Sequence, residues 1–189
     1  MKQIGDGEKV QMRTRKDLAE EAHRAALKPF HGDIQGRESN LEPIISLFPK
    51  WSVQQADGLW CAAFVYYCCL LAGFDFPYSP SSCVSCSLAG CGGWEEFALG
   101  DSQIAYHRRG EQGFVPQAGD IVLYDRVFNG QEHDHIGVVL EASDGGLVAA
   151  EGNVPGKNCS GLVRRRRDEH IRAYIRIPDG YRYEEDSET

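Results

Sequence analysis

Cys61, His135, Glu151 and Asn153 are the residues whose types, contexts and order could together perform covalent chemistry: a sulfur nucleophile, a base, and polar groups to orient the base. Cys61 stands in "GLWCAAFVYYCCLLAGF", Gly58 to Phe74, an apolar run of helical length that also holds Cys68 and Cys69. At the head of a helix, unpaired backbone N–H groups and the positive end of the dipole lie beside the sulfur, which favours thiolate. The same N–H groups can receive the oxyanion of a tetrahedral intermediate. Cys68 and Cys69 lie two turns further, roughly 10–12 Å along the axis, too far to bridge to Cys61. Inside the apolar run, burial makes them inert. The plain alternative is that Cys61 is only the first buried residue of its helix.

The base belongs in "HDHIGVVLEASDGGLVAAEGN". Of six histidines, His23 falls on a surface helix, and His31, His107 and His170 lack a neighbouring pattern. His133 and His135 enter a strand, with Gly137 on the same face to let a helix terminus come close. If Ser143 to Gly145 form the turn, Ala142 pairs with Gly146, Gly137 faces Glu151 and His135 faces Asn153. His135, Glu151 and Asn153 then share one face of the sheet. A slip of one residue would send the acid to the other face. Asp134 points away and is a poor orienter. A hairpin with polar residues at its mouth is the plain alternative.

Stepping along the chain supplies the elements that must hold these residues. "TRKDLAEEAHRAALK", Thr14 to Lys28, reads as a helix with an apolar stripe of Leu18, Ala22, Ala25 and Ala26, capped by Thr14 or Asp17. "SNLEPIISLF" offers a shorter helix with Asn40 as cap, and "WSVQQADG" a loop leading into Trp60-Cys61. The long apolar helix stops at Gly73. Asp75 to Val115 reads as loop with one or two short helices, "GWEEFAL" the better. "DIVLYD", "HIGVVLEA", "GLVAAEGN", "GLVRRRR" and "HIRAYIRIP" are strands separated by turn residues. Helices first and strands second predict an α+β domain, with N-terminal helices packed on an antiparallel sheet of about five or six strands. The chain reads as one domain, residues 1–189, with a core at about 51–178, an N-terminal helical extension at 1–50 and a frayed acidic tail at 179–189.

Composition removes whole classes of function. The net charge of −8 argues against nucleic acid. The basic run Arg164 to Arg167 suits a solvated edge strand, where alternate arginines point to opposite faces. The N-terminus lacks the apolar core of a secretory leader, and the long apolar run is too short to span a bilayer. A soluble protein made in the cytoplasm is expected, acting there or after lysis or non-classical export. Seven cysteines leave at least one unpaired within a monomer.

Cys61 at a helix start, then His-Ile-Gly-Val-Val, then Glu151-Gly152-Asn153 resembles the CHAP family, the cysteine, histidine-dependent amidohydrolases/peptidases related to NlpC-type cell-wall peptidases and to papain. "WCAAFVYYCCLLAGF", "PQAGDIVLY", "HIGVVLEA", "LVAAEGN" and "IRAYIRIP" carry the likeness, from about Leu59 to Pro178, with a divergent insertion at Asp75 to Val115. The resemblance implies a papain-like fold with Cys61 as nucleophile, His135 rather than His133 as base, Glu151 as orienter and Asn153 as further polar support. It implies an oxyanion hole from the Cys61 N–H, with Gln55 at the spacing of the papain-type side-chain donor. The implied reaction is amide hydrolysis through a thioester, on peptidoglycan as muramoyl-alanine amidase or stem-peptide endopeptidase. A non-wall peptide or small amide is the alternative substrate, and a non-catalytic ligand-binding module the alternative role. No cofactor is expected. Some members bind calcium through aspartates before the cysteine; only Asp57 stands here, so no calcium site is expected. Cys83, Cys86 and Cys91 lie outside the family's core and read as free or opportunistically paired loop thiols rather than as a metal site with Cys159. The missing leader leaves room for a delivery or immunity protein as partner.

Overall fold

The structure, a computed structural model, describes residues 13–185. Among the described residues five helices precede a six-stranded antiparallel sheet, so the domain is α+β with the helices N-terminal. The helices are α1 (Arg15–Leu27), α2 (Glu42–Ile45), α3 (Val53–Ala56), α4 (Cys61–Leu71) and α5 (Cys91–Gly100). The strands are β1 (Ala105–Arg108), β2 (Ile121–Tyr124), β3 (His135–Ala142), β4 (Gly146–Glu151), β5 (Gly161–Arg166) and β6 (Ile171–Arg176). They lie in the order β1-β6-β2-β3-β4-β5. The leader question falls on residues 1–12, outside the described residues; among those described, no helix is long and apolar enough to cross a membrane.

Thr14 caps α1 through a reciprocal box with Asp17. Leu18, Ala22, Ala25 and Ala26 are buried in the main core with α4 and the sheet, so this helix is part of the domain's packing rather than an appendage. Asn40 does not cap α2, whose cap position is Leu41; its side-chain oxygen instead accepts from the His31 N–H at 2.7 Å. The expected loop before Trp60 contains α3, closed by Ser52 and Gln55. α4 ends at Gly73, where Phe74 N–H reaches the Cys69 carbonyl and Gly73 N–H the Leu70 carbonyl, with Gly73 at φ 84°. That is a Schellman close, which glycine adopts without a Cβ penalty.

One sheet face presents Ile121, Leu123, Ile136, Val138 and Ala150 to α1 and α4. The opposite face presents Val122, Tyr124, Val139, Leu147 and Ala149 to a smaller apolar cluster. β1 escapes a reading based on Val/Ile runs because its Ala-Tyr-His-Arg is a half-exposed edge strand that borrows its order from β6. α5 begins two residues before "GWEEFAL", since its glycines weaken the helical signal. A Cβ on Gly93 would sit 2.3 Å from the Ser87 carbonyl oxygen, so close packing explains that residue. The tail is ordered further than expected: Tyr181 is buried against Phe97 and bonds Asp101, and only residues 186–189 lie outside the described part.

The β3–β4 hairpin departs from the expected register at its turn and meets it at its mouth. Ala142 pairs with Leu147, not Gly146. A shift between Val139 and Glu141 then offsets the difference, so Val138 pairs with Ala150. The continuation sets Gly137 against Glu151: a Cβ there would meet Glu151 Cγ at 2.8 Å. Gly137 therefore makes room for the carboxylate, not for a helix. The helix comes close at Gly152, where a Cβ would lie 2.4 Å from Phe64 Cβ on α4.

Candidate active site

Cys61 is the first residue of α4, and its N–H has no acceptor within the helix. The residue is buried, with 8% of its surface exposed. Trp60 fixes the approach of the chain by donating its indole N–H to Asn158 Oδ1 at 3.0 Å. Asn158 in turn donates to Asp57 Oδ1 at 2.7 Å, and that oxygen also accepts the Asp33 N–H. Asp57 thus ties loops together ahead of the cysteine.

His135 opens β3 and is fully buried. Its Nε2 lies 2.8 Å from Glu151 Oε2, its buried Nδ1 has no hydrogen-bond partner, and Cys61 is near enough for the thiol and the ring to shift each other's charge. A neutral imidazole that donates through Nε2 keeps a lone pair on Nδ1, the form a base must have. The ring lies between Tyr124 and Phe128, with centroids 5.9 and 6.0 Å away and planes within 24° and 9°. Phe128 is placed by Asp134, whose carboxylate accepts the N–H groups of Val127, Phe128, Asn129 and Gly130. Asp134 does not orient the imidazole directly; it builds the loop that packs on it.

Glu151 is fully buried at the end of β4 and carries a second partner that the sequence reading did not assign. Arg165 forks onto it, Nε to Oε1 at 2.9 Å and Nη2 to Oε2 at 2.6 Å. The guanidinium also lies over the Tyr124 ring at 5.1 Å. The basic run on β5 does occupy an edge strand, with Arg164 and Arg166 outward and Arg165 inward. Only that alternation could have singled Arg165 out. Asn153 follows the strand at φ 50° and makes no hydrogen bond to His135; it donates to the Gly58 carbonyl at 2.6 Å and pins the loop before α4. Gln55 is exposed and its carboxamide oxygen accepts the Ser52 N–H at 3.0 Å, so the structure gives it a capping task instead of the donor role expected.

The electrostatics divide the cysteines. The Cys61 thiol is pulled down to about 5, chiefly by a hydrogen bond from the Cys91 thiol, then, against the cost of burial, by His135 and the Ala62 N–H. Burial drives Cys68 well up and pushes Cys69 up too. For His135 burial favours the neutral ring, but hydrogen bonds to Cys61 and Glu151 outweigh it and raise the imidazole to about 9. Burial likewise opposes the Glu151 charge, and Arg165 and His135 more than offset it, holding the carboxyl below its ordinary value. These shifts all run in the direction that favours a thiolate beside an imidazolium, with a carboxylate behind it.

The CHAP domain family model matches residues 53–153, just over half of the chain, including Cys61, His135, Glu151 and Asn153 but not Arg165. The chain belongs to the CHAP family. Among solved structures, the crystal structure of Ly7917 aligns over 87% of this chain at 14% identity with a TM-score of 0.50, a likeness of fold. This chain spans 62% of that one. No curated protein matches it. The match makes the chain a member of a cysteine- and histidine-dependent amidohydrolase family.

Of the cysteines outside the CHAP match's central motifs, Cys83 and Cys86 bracket the Gly93 backbone: the first donates to its carbonyl at 3.2 Å and the second accepts its N–H at 3.1 Å. Cys159 lies on a bridge with His31. Among the described residues no three His, Cys, Asp or Glu side chains are grouped to hold a metal. His133, at φ 53°, lies outside β3 and pairs with Glu95 of α5.

Proposed function

We propose that the protein hydrolyses amide bonds of peptidoglycan through a thioester on Cys61, as an amidase or stem-peptide endopeptidase. The observation that carries this reading is the buried imidazole of His135, with Nε2 on Glu151 and Nδ1 unpartnered, near enough to Cys61 for each group to shift the other's charge. The thiolate attacks the carbonyl carbon, and the N–H at the head of α4 receives the oxyanion. The imidazolium gives its proton to the departing amine, leaving a thioester. Neutral His135 then takes a proton from water, whose oxygen attacks the thioester and frees the acid. Glu151 and Arg165 hold the ring in place throughout, so little reorganisation accompanies each transfer.

A wall peptide suits the surroundings. A cleft of about 310 Å³ beside His133 is lined by Glu95, Asp125, Arg108, Arg109 and Arg172. Its mixture of signs fits a substrate that carries both free carboxylates and an ammonium group. Digestion of purified sacculi, followed by turbidity and by product mass, tests the reading. The wild type should clear the suspension and release peptides or glycan strands with new termini; Cys61→Ala should release none at an unchanged melting temperature. A Cys61→Ala protein as active as the wild type would refute the mechanism. Hydrolysis of γ-glutamyl or peptide amides with intact sacculi would move the reading to a non-wall substrate.

A further inference from the structure

The fold brings to the centre of the site one cysteine that the proposed chemistry does not use. Cys91, the first residue of α5, places its sulfur 3.8 Å from that of Cys61, and both residues are 8% exposed. The first residues of two helices thus meet through two free thiols. Sulfurs at van der Waals contact need only small side-chain rotations to reach bonding distance, provided the backbones sit within the usual disulfide span. Of the other five cysteines, Cys68 and Cys69 are fully buried, Cys83 and Cys86 bond the Gly93 backbone, and Cys159 lies on a separate bridge with His31.

We propose that Cys61 and Cys91 form an oxidative modification site, in which a peroxide converts the two thiols into a reversible disulfide that caps the nucleophile. The Cys61 thiolate attacks the peroxide O–O bond and becomes a sulfenic acid; the peroxide is reduced, and its leaving oxygen departs as hydroxide and is protonated to water. The Cys91 sulfur then attacks the sulfenic sulfur. An S–S bond forms, the S–O bond breaks, and the leaving hydroxide takes the Cys91 proton to give a second water. One peroxide and two thiols become one disulfide and two waters.

The order of events follows from the charges. In the resting site Cys91 stays protonated, because its hydrogen bond to Cys61 and its burial both push its thiol up. Oxidation of Cys61 removes the negative charge that holds that proton. The head of α5, which carries no side-chain cap, then favours a Cys91 thiolate. The resolving sulfur is therefore switched on by the damage it repairs. Without it, the sulfenic acid would proceed to a sulfinic acid that a thiol cannot reduce.

The test reads peptides rather than turnover, so it stands or falls separately from the hydrolase reading. The reduced full-length chain is treated with hydrogen peroxide, the remaining thiols are alkylated, and the protein is digested without reductant for mass spectrometry. The expected product is a Cys61–Cys91 linked peptide, lost again on treatment with dithiothreitol. Cys91→Ser and Cys91→Ala, checked for folding by thermal melts, should lack the link and accumulate sulfinic acid at Cys61 that dithiothreitol leaves in place. A wild type in which Cys61 reaches sulfinic acid with no link to Cys91 would overturn the proposal. So would a link between Cys91 and Cys86 with Cys61 left reduced.

Discussion

Two sets of the same three residue types stand side by side in this molecule, and they differ in almost everything but composition. His135, Glu151 and Arg165 form one; His133, Glu95 and Arg172 form the other, with Arg172 forked onto Glu95 at 2.8 and 3.1 Å. The side chains of His135 and Glu151 are wholly buried, whereas those of His133 and Glu95 are 26% and 14% exposed. The first imidazole keeps one nitrogen for a sulfur; the second set lies by the polar cleft, where Tyr106 shares its carboxylate. Glu95 is held low, to about 2, against the cost of burial, chiefly by Arg172 and Tyr106. A His–Glu–Arg chain is therefore only a charge network. It becomes a candidate base when burial removes water and a nucleophile occupies its free end.

Replacing each histidine by glutamine should separate the two sets most widely. His135→Gln should lower hydrolysis by about a thousandfold or more, while His133→Gln should stay within about twofold in kcat. Equal losses in steady-state assays would mean that His133 shares the chemistry. Next in size is stability. Glu151→Gln leaves Arg165 with no charged partner in a site that is mostly closed, and should cost about 2–3 kcal/mol by chemical denaturation. Glu95→Gln, at the rim, should cost under about 1 kcal/mol. Because the folded state depresses the Glu151 carboxyl, the wild-type advantage is complete above its ordinary value of 4.5 and fades as pH falls through the lower folded value.

The pH profile sharpens the comparison further. With the thiol near 5 and the imidazole near 9, kcat/KM should hold a plateau between those limits and fall on either side. Below, the sulfur is protonated; above, the leaving amine loses its proton donor. Alkylation of Cys61 by iodoacetamide should follow the acid limb, and that limb should move upward in His135→Gln but stay in place in His133→Gln. The smallest contrast is between the arginines. Arg165→Lys keeps the charge but loses the fork and should slow turnover about tenfold, the worth of one charged hydrogen bond. Arg172→Lys should change it by less than about twofold.

How much of this was legible depends on the range of the physics involved. Local patterns gave α1 with its Thr14 cap, the stop of α4 at Gly73 and the long strands, since capping, glycine conformation and β-branched runs act between near neighbours. β1 was not legible, because its four residues carry no apolar alternation and depend on pairing with β6. Asn153 was placed by register on the His135 face, but a positive φ turned it to Gly58. Gln55 had the right spacing, and a local cap claimed its oxygen.

By itself the sequence determined that a cysteine heads a buried helix and that a histidine and a glutamate can share a strand pair's face, because helical and strand periodicities follow directly from residue order. Tertiary structure alone decided that Arg165 stands behind Glu151, that the shift near Leu140 brings the hairpin mouth into register, and that Cys91 arrives beside Cys61. Those are meetings between segments distant along the chain. Their geometry depends on how layers pack and where a ladder slips, and no local spacing encodes it.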